Sequence, residues 1–174
     1  EFPDSHNNLG DAFRELNQFD DAVESYEKAI NLDPNYFEAF NNLGTAFKDL
    51  DKLDEAVSSY EKALKINPAF SDSYNNLGNV LKKLGKLDEA LDCYEKGIAL
   101  NPDDVDIHNN IGRLFSKLKR MDEALKSYKT AVKINPQHAE TYKNLAIIFM
   151  DLDRLEESFR YVEKALNLNP EYAE

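Results

Sequence analysis

Several residue types are scarce in this chain of 174 residues, and each scarcity argues against a class of function. The single cysteine, Cys93, cannot form an internal disulfide, which is typical of a reducing compartment, and we expect a cytoplasmic protein. No apolar run approaches the roughly 18 residues of a membrane span. The 21 basic residues are outnumbered by 33 acidic ones, so the net charge is −12. That deficit opposes binding to nucleic acid and to anionic membranes, because both reward clustered lysine and arginine.

The sequence also lacks the residue groupings that metal binding or catalysis requires. Its six glycines are spread along the chain, so no glycine-rich loop is available to hold a phosphate. His6, His108 and His138 have no metal-ligand spacing to cysteine or carboxylates. Cys93 lacks a paired base, and we expect it to be a small packing residue. We therefore expect no cofactor, no metal and no enzymatic activity.

What the chain does contain is one pattern repeated with a period of 34 residues. Prolines, small residues and tyrosines mark the period: Pro34, Pro68, Pro102, Pro136 and Pro170; Ala22, Ala56, Ala90 and Ala124; Tyr26, Tyr60, Tyr94 and Tyr128. In the last copy, Ser158 and Val162 replace the alanine and the tyrosine. A fixed period of this length indicates stacked supersecondary units.

Within each copy the apolar residues follow helical spacing. The spacing predicts first helices over 4–16, 37–50, 71–84, 105–118 and 139–152, and second helices over 20–32, 54–66, 88–100, 122–134 and 156–168. Each second helix is predicted to end before its proline, which cannot extend it. Asp54 is expected to cap its helix, as are the residues at the same place in the other copies, Asp20, Asp88, Asp122 and Glu156.

Glycine recurs at one position inside the first helices, where it costs about 1 kcal/mol relative to alanine. The four residues are Gly10, Gly44, Gly78 and Gly112. We expect this cost to be offset because glycine allows a close approach of the two helix backbones within a hairpin. Larger residues would fill the space beside them: Phe13, Phe47, Leu81, Phe115 and Phe149.

This frame resembles the tetratricopeptide repeat, a 34-residue helix-turn-helix unit with the pattern W-x2-L-G-x2-Y, A-x3-F and P. The resemblance covers Pro3 to Pro170, although the tryptophan position holds other residues and Ala146 replaces the last glycine. It implies an all-α right-handed superhelix, or solenoid, of five stacked hairpins whose first helices line a concave groove. We expect one domain, 1–174, with repeats at approximately 3–36, 37–70, 71–104, 105–138 and 139–172.

The side of each first helix opposite its apolar face would then line the groove, and its residues form rows. The second row is Asn7, Asn41, Asn75, Asn109 and Lys143. The third row is Asn8, Asn42, Asn76, Asn110 and Asn144. The fourth row is Asp11, Thr45, Asn79, Arg113 and Ile147. The acids and bases of this face nearly balance, so most of the negative charge lies elsewhere.

The asparagines predict a ladder that binds the backbone of an extended peptide. An amide both donates and accepts hydrogen bonds, so a regular row of amides can hold peptide N–H and C=O groups. This arrangement resembles the arrays that precede the catalytic part of O-linked N-acetylglucosamine transferases. The alternative is structural, with the amides bonding neighbouring first helices or local backbone. The two interpretations are compatible if the amides are only partly satisfied.

A cluster of cations would bias the choice of ligand toward acidic side chains or phosphate. Its members are Lys48, Lys82, Lys83, Arg113 and Lys117. The alternative is a solvated face on which each cation pairs with a neighbouring acid. The clamp with which some arrays bind acidic chaperone tails is absent, because it needs lysine at the place of Asn41 and asparagine at the place of Thr45.

The fifth copy departs from the others, because Ile147 and Met150 replace polar residues on the groove face. They could form a hydrophobic partner pocket or a face that a further repeat covers. We expect association between copies through this end, or fraying of 156–174.

The leading function is a non-catalytic protein-protein interaction scaffold that binds an extended peptide. The alternatives are the substrate-recruiting region of a larger glycosyltransferase-like enzyme and a self-assembling structural module. An RNA-binding helical repeat is disfavoured by the acidic charge.

Overall fold

The computed structural model describes residues 2–173, which form helices joined by short turns. Five helical hairpins follow one another along the chain. Their first helices are α1 (Pro3–Glu15), α3 (Phe37–Asp49), α5 (Ser71–Lys83), α7 (Val105–Lys117) and α9 (Ala139–Asp151). Their second helices are α2 (Phe19–Leu32), α4 (Leu53–Ile66), α6 (Leu87–Leu100), α8 (Met121–Ile134) and α10 (Leu155–Leu168). A single 3₁₀ turn, Pro170–Ala173, follows α10. Every predicted helix is confirmed to within one residue at each end.

The turn inside each hairpin is a Schellman motif, which closes the end of the first helix. In the second hairpin, Lys52 N donates to Phe47 O at 2.8 Å and Asp51 N donates to Lys48 O at 3.1 Å. The residue at the place of Asp51 has a positive φ in every hairpin: Asn17, Asp51, Gly85, Lys119 and Asp153. Only one of these residues is glycine, so the motif tolerates side chains in a left-handed conformation.

The turn between hairpins is stabilised by the residue before each proline. Its side-chain oxygen accepts a hydrogen bond from the backbone N–H two residues on, as Asn67 Oδ1 does from Ala69 N at 3.1 Å. Asp33, Asn135 and Asn169 make the same bond. These local bonds explain why asparagine and aspartate precede the prolines.

The predicted caps of the second helices are wrong. Lys52 occupies the N-cap position of α4 and makes no side-chain cap bond, and Asp54 lies inside the first turn. Asp20, Asp122 and Glu156 likewise lie inside their first turns, behind N-caps that make no side-chain bond. Asp88 also lies in the first turn of its helix. The Schellman turn carries the chain directly into the next helix, so these acids favour the positive end of the helix dipole instead.

The helical glycines make room for an aromatic ring rather than for a helix backbone. A Cβ atom built on Gly44 would lie 2.8 Å from Cε1 of Tyr60. Gly10, Gly78 and Gly112 meet the rings of Tyr26, Tyr94 and Tyr128 in the same way. These four rings are buried. Of the predicted space-fillers, Leu81 and Phe149 are buried, and Phe13, Phe47 and Phe115 are half-buried. The expected close approach of backbones is therefore corrected to a ring packed on a glycine.

Within the two units that are defined below, the first helices α3, α5 and α9 also pack against the hairpin before them. Leu43 and Ala46 of α3 join Ala22 and Tyr26 of α2 in one core cluster. Ala46 is fully buried. It lies outside the apolar face that helical spacing predicts for this helix, which is Ala39, Phe40, Leu43, Gly44, Phe47 and Leu50. The residues at the same place in the other first helices are Val80, Leu114 and Ile148, all buried, and Ala12, which is exposed on α1.

The chain forms two compact units, residues 1–100 and 101–174. The N-terminal unit holds hairpins one to three, and the C-terminal unit holds hairpins four and five. In each unit a second helix packs on the first helix that follows it, and first helices also contact one another, α1 with α3, α3 with α5 and α7 with α9. The single domain expected from the sequence stays a prediction.

Candidate peptide-binding face

The three rows lie on one side of the first helices, here called the first-helix face. Three asparagines of the second row lie between adjacent first helices of the same unit, where they accept bonds from the following helix. Asn7, Asn41 and Asn109 are buried, and Asn109 is only 3% exposed. Asn75 is half-buried and Lys143 is exposed. The row therefore serves first as packing between hairpins.

The third row bonds back to the second row of the preceding hairpin. Asn42 Nδ2 donates to Asn7 Oδ1 at 3.1 Å, and Asn76 Nδ2 donates to Asn41 Oδ1 at 3.1 Å. In the C-terminal unit, Asn144 Nδ2 donates to Asn109 Oδ1 at 3.0 Å. The structural alternative for the asparagines is thus present in both units.

Two of the buried second-row oxygens accept a second bond from the following first helix. Asn41 Oδ1 accepts from Ser73 Oγ at 2.9 Å, and Asn109 Oδ1 accepts from Thr141 Oγ1 at 3.1 Å. The donors are buried. Two donors on one carbonyl satisfy both lone pairs, so these oxygens have no capacity left for a ligand.

The third row keeps part of its hydrogen-bonding capacity. Asn76 and Asn144 are half-buried, and neither side-chain oxygen has a hydrogen-bond partner among residues 2–173. Asn42 differs, because its Oδ1 lies 3.3 Å from Asn41 Nδ2. Asn8 is exposed on α1, whereas Asn110 is buried. Open amide oxygens are therefore found at Asn76 and Asn144.

The fourth row lies at the hydroxyl ends of the buried tyrosines. Tyr26 Oη donates to Asp11 Oδ1 at 2.7 Å, and Tyr94 Oη donates to Asn79 Oδ1 at 2.9 Å. Tyr60 Oη and Thr45 Oγ1 are 3.1 Å apart. Burial raises the pKa of Tyr60 to about 12. Burial also raises the pKa of Tyr26 and Tyr128, and Asp11 raises that of Tyr26 further.

The predicted cationic cluster is largely paired with acids or amides. Lys83 Nζ lies 2.6 Å from Asp51 Oδ1, and Lys48 Nζ lies 3.7 Å from Asp49 Oδ1. Arg113 Nη1 lies 3.4 Å from Glu140 Oε1, within the C-terminal unit. Lys82 Nζ donates to Asn79 Oδ1 at 3.1 Å. Lys117 is exposed. The ion pairs of Lys83 and Arg113 are open to solvent, so they stabilise the fold little and leave these two cations accessible to a ligand, whereas Lys48 and Lys82 are half-buried.

The other residues considered from the sequence take packing or turn positions. Cys93 is buried, and burial raises the pKa of its thiol to about 11. His108 Nε2 lies 2.9 Å from Pro102 O, and His138 Nδ1 lies 2.6 Å from Thr141 Oγ1. No cluster of potential metal ligands is found among residues 2–173. Within the same residues, no helix is long and apolar enough to cross a bilayer.

The fifth hairpin presents apolar side chains on its first-helix face. Ile147 is 43% exposed and Met150 is 56% exposed. Phe159 and Val162 of α10 are also exposed. The predicted apolar surface is present, and its predicted role in association between copies stays a prediction.

Sequence reasoning allowed for amide bonds between neighbouring first helices, but it did not identify the second row as the acceptor of the third row. The signal was present as an Asn-Asn pair that recurs four times, at positions 7, 41, 75 and 109 with their successors. At the pair Asn41-Asn42, the first member accepts a bond from the following hairpin and the second donates to the preceding one. Helical spacing alone could not show this, because it describes one helix and not its neighbours.

Three solved structures share the fold over nearly the whole chain. MamA matches with a TM-score of 0.81 and 25% identity, covering 95% of this chain and 96% of that one. YrrB, described as a TPR protein with an unusual peptide-binding site, matches with a TM-score of 0.71 and 25% identity, covering 95% and 85%. A thermophilic TPR protein of Thermus thermophilus matches with a TM-score of 0.81 and 22% identity, covering 97% and 92%.

Comparison with protein-family profiles gives the same result, although no curated protein matches the chain significantly. The TPR repeat profile matches residues 10–51 and 45–85. The tetratricopeptide repeat profiles match residues 71–104, 105–138 and 139–172. Together these matches span the five hairpins. The chain therefore belongs to the tetratricopeptide repeat family.

Proposed function

We propose that the chain is a non-catalytic protein-interaction scaffold that binds an extended peptide along the first-helix face. The third-row asparagines hold the peptide backbone, and the cations favour acidic side chains. The observation that carries this proposal is the Oδ1 of Asn76 and of Asn144, each half-buried and each without a hydrogen-bond partner in the described part of the chain.

The second row supports this role by fixing the third-row amides in place. Asn76 and Asn144 each use one N–H to bond a buried asparagine oxygen, which sets the orientation of the amide plane. Their oxygen and their second N–H remain for a ligand. An amide oriented before binding loses little conformational freedom when the peptide arrives, and this raises affinity. The structural and ligand-binding roles of the asparagines are thus combined.

The comparison with YrrB supports a peptide as the ligand, because that structure is described as having an unusual peptide-binding site. The exposed cations Lys83, Arg113 and Lys117 support an acidic ligand, because exposed ion pairs such as those of Lys83 and Arg113 exchange readily with other carboxylates.

The test is a titration with peptides selected from a random library on the immobilised chain. We expect Asn76→Ala and Asn144→Ala each to weaken the best selected peptide by about fivefold to tenfold, the worth of one net hydrogen bond. Asn31→Ala and Asn167→Ala are matched controls, because both asparagines are exposed on second helices. Methylation of single backbone nitrogens of the peptide should weaken binding similarly. If all variants bind with equal affinity and keep an unchanged circular dichroism spectrum, the proposed asparagine ladder is wrong.

Two alternatives have support of their own. The register of the asparagines resembles that of glycosyltransferase arrays, which favours a role in recruiting substrate for a glycosyltransferase. Glycosyl transfer to a peptide that the chain binds tests this. Exposed apolar residues on α1 and α10, such as Leu9 and Phe159, favour a self-assembling module. A molar mass by light scattering that rises with concentration would support self-assembly.

A further inference from the structure

The fifth hairpin lacks the ring-on-glycine pair that the other four share. Ala146 replaces the glycine and Val162 replaces the tyrosine. In the other hairpins, a Cβ on the glycine would lie only 2.5, 2.8, 2.6 and 2.4 Å from the ring. Real atoms do not approach so closely, so a methyl group at this position and a tyrosine ring exclude each other. The two substitutions therefore form one coupled change.

An open pocket lies beside Ala146 and Val162. Five of its lining residues, Ala146, Ser158, Val162, Ala165 and Leu166, occupy the places that Gly10, Ala22, Tyr26, Ala29 and Ile30 hold around the first ring. Val162 is 41% exposed, whereas Tyr26 is fully buried. The pocket measures about 180 Å³. An apolar cavity of about 150 Å³ suffices to bind benzene, so a phenyl ring fits.

The fourth-row residue in the pocket wall is apolar, which indicates a ring without a hydroxyl group. In the first three hairpins the tyrosine hydroxyl reaches a polar fourth-row side chain, Asp11, Thr45 or Asn79. The corresponding residue of the fifth hairpin is Ile147, and Met150 lies beside it in the pocket wall. A buried hydroxyl would find no partner on either side chain, so phenylalanine is preferred to tyrosine.

The mouth of the pocket carries a positive charge. Lys143 lines the pocket and is exposed, at the second-row position where the other hairpins have asparagine. Its Nζ lies 4.6 Å from the centre of the Tyr172 ring, on the 3₁₀ turn that forms another wall. A lysine at the rim favours a carboxylate beside the apolar side chain in the ligand.

We propose that the fifth hairpin carries a specificity pocket for the phenylalanine side chain of an acidic peptide segment. The pocket rests on the proposed peptide-binding function, and it adds side-chain selection to the backbone recognition of the third row. Its occupant restores the packing that an internal tyrosine provides in hairpins one to four.

The test uses N-acetyl-phenylalanine as a probe, because it carries the ring and a carboxylate but needs no asparagine ladder. In methyl NMR spectra of the intact chain, we expect the probe to shift the signals of Ile147, Met150 and Val162. N-acetyl-alanine should shift none of them. N-acetyl-tyrosine should bind about tenfold more weakly, because its hydroxyl loses water without gaining a partner.

Three variants test the pocket. The double variant Ala146→Gly/Val162→Tyr installs the pair used by the other hairpins, and it should lose about tenfold or more in affinity for the probe. The variant Ile147→Asn supplies the polar partner present at Asn79 and should shift preference toward N-acetyl-tyrosine. A third variant, Lys143→Asn, should remove the advantage of N-acetyl-phenylalanine over its uncharged amide.

Three results would overturn the proposal: no shift of the Ile147 and Met150 methyl signals, unchanged binding to the filled double variant, or a concentration-dependent mass that filling abolishes. The last result would assign the pocket to a second copy of the chain. Asn76→Ala separates this proposal from the function on which it rests. It should weaken peptide binding and leave probe binding unchanged.

Discussion

Hairpins one to four and hairpin five share a frame but differ in how they fill it. The first four place a tyrosine ring on a glycine, and all four rings are buried. The fifth places a valine beside an alanine and has an open pocket of about 180 Å³. Because the methyl group and the ring exclude each other, neither substitution alone gives a well-packed hairpin. The difference teaches that hairpins with the same helices and turns can be filled in two ways.

The coupling itself gives the largest expected effect. Tyr60→Val should destabilise the second hairpin by about 3 kcal/mol through the cavity it leaves. Gly44→Ala should destabilise it by about 1–3 kcal/mol, because the added Cβ meets the ring. The double variant should fall short of the sum by about 1 kcal/mol or more. Urea unfolding measures all three, and strictly additive free energies would contradict the exclusion argument.

The second row distinguishes the same two regions, because the fifth hairpin has Lys143 where the second has Asn41. Asn41→Ala should destabilise the fold by about 1–3 kcal/mol, since Ser73 and Asn76 both lose their acceptor. Lys143→Ala, at an exposed site, should change stability by less than about 0.5 kcal/mol. Thermal unfolding followed by circular dichroism compares the two. A small effect of Asn41→Ala would show that the amide bonds between first helices are dispensable.

Alkaline pH should separate the regions through the tyrosine that only the first four hairpins contain. Burial raises the pKa of Tyr60 from 10.0 to about 12. The folded chain therefore keeps a proton that the unfolded chain releases, so this stabilisation is complete below pH 10 and is lost as the pH rises toward 12. Tyr60→Phe should flatten the dependence of stability on pH in that range. The measurement is the urea midpoint of both proteins at several alkaline pH values, with tyrosinate absorbance to follow ionisation. If the midpoint of Tyr60→Phe falls with pH as steeply as that of the unchanged chain, the burial of Tyr60 does not contribute to the pH dependence.

The turn within the hairpin should give the smallest effect, because all five hairpins share it. Lys119 has a φ of 59°, in the left-handed region, and Lys119→Gly should stabilise the chain by about 0.5–1 kcal/mol. Gly85 has a φ of 81° and open space around it, so Gly85→Ala should destabilise by about 1 kcal/mol through the backbone alone. Opposite signs in a urea titration are the expected outcome. Equal signs would mean that side-chain contacts outweigh the backbone conformation.

The helices and their limits could be predicted because the period of 34 residues fixes them five times over. The residues that each helix face contacts could not be predicted. Helical spacing recognises one apolar stripe and leaves Ala46 outside it, whereas α3 packs on both its own second helix and the preceding hairpin. The repeat pattern predicts a close contact between helices at Gly44. It does not identify the group that makes this contact, which is the ring of Tyr60 and not the helix backbone. The burial of Asn109 is hidden for the same reason.

The bonds between the asparagine rows also constrain how long a repeat can be. Asn76 reaches Asn41 across 35 positions of sequence, and Asn144 reaches Asn109 across the same interval. Inserting one residue inside either first helix, between its capping turn and its asparagine, would turn the amide by about 100° around the helix axis. The donor would then miss its acceptor, and a buried oxygen would lose a partner. The amide bonds therefore restrict the length of the repeat, and changes in length are tolerated only in the turns.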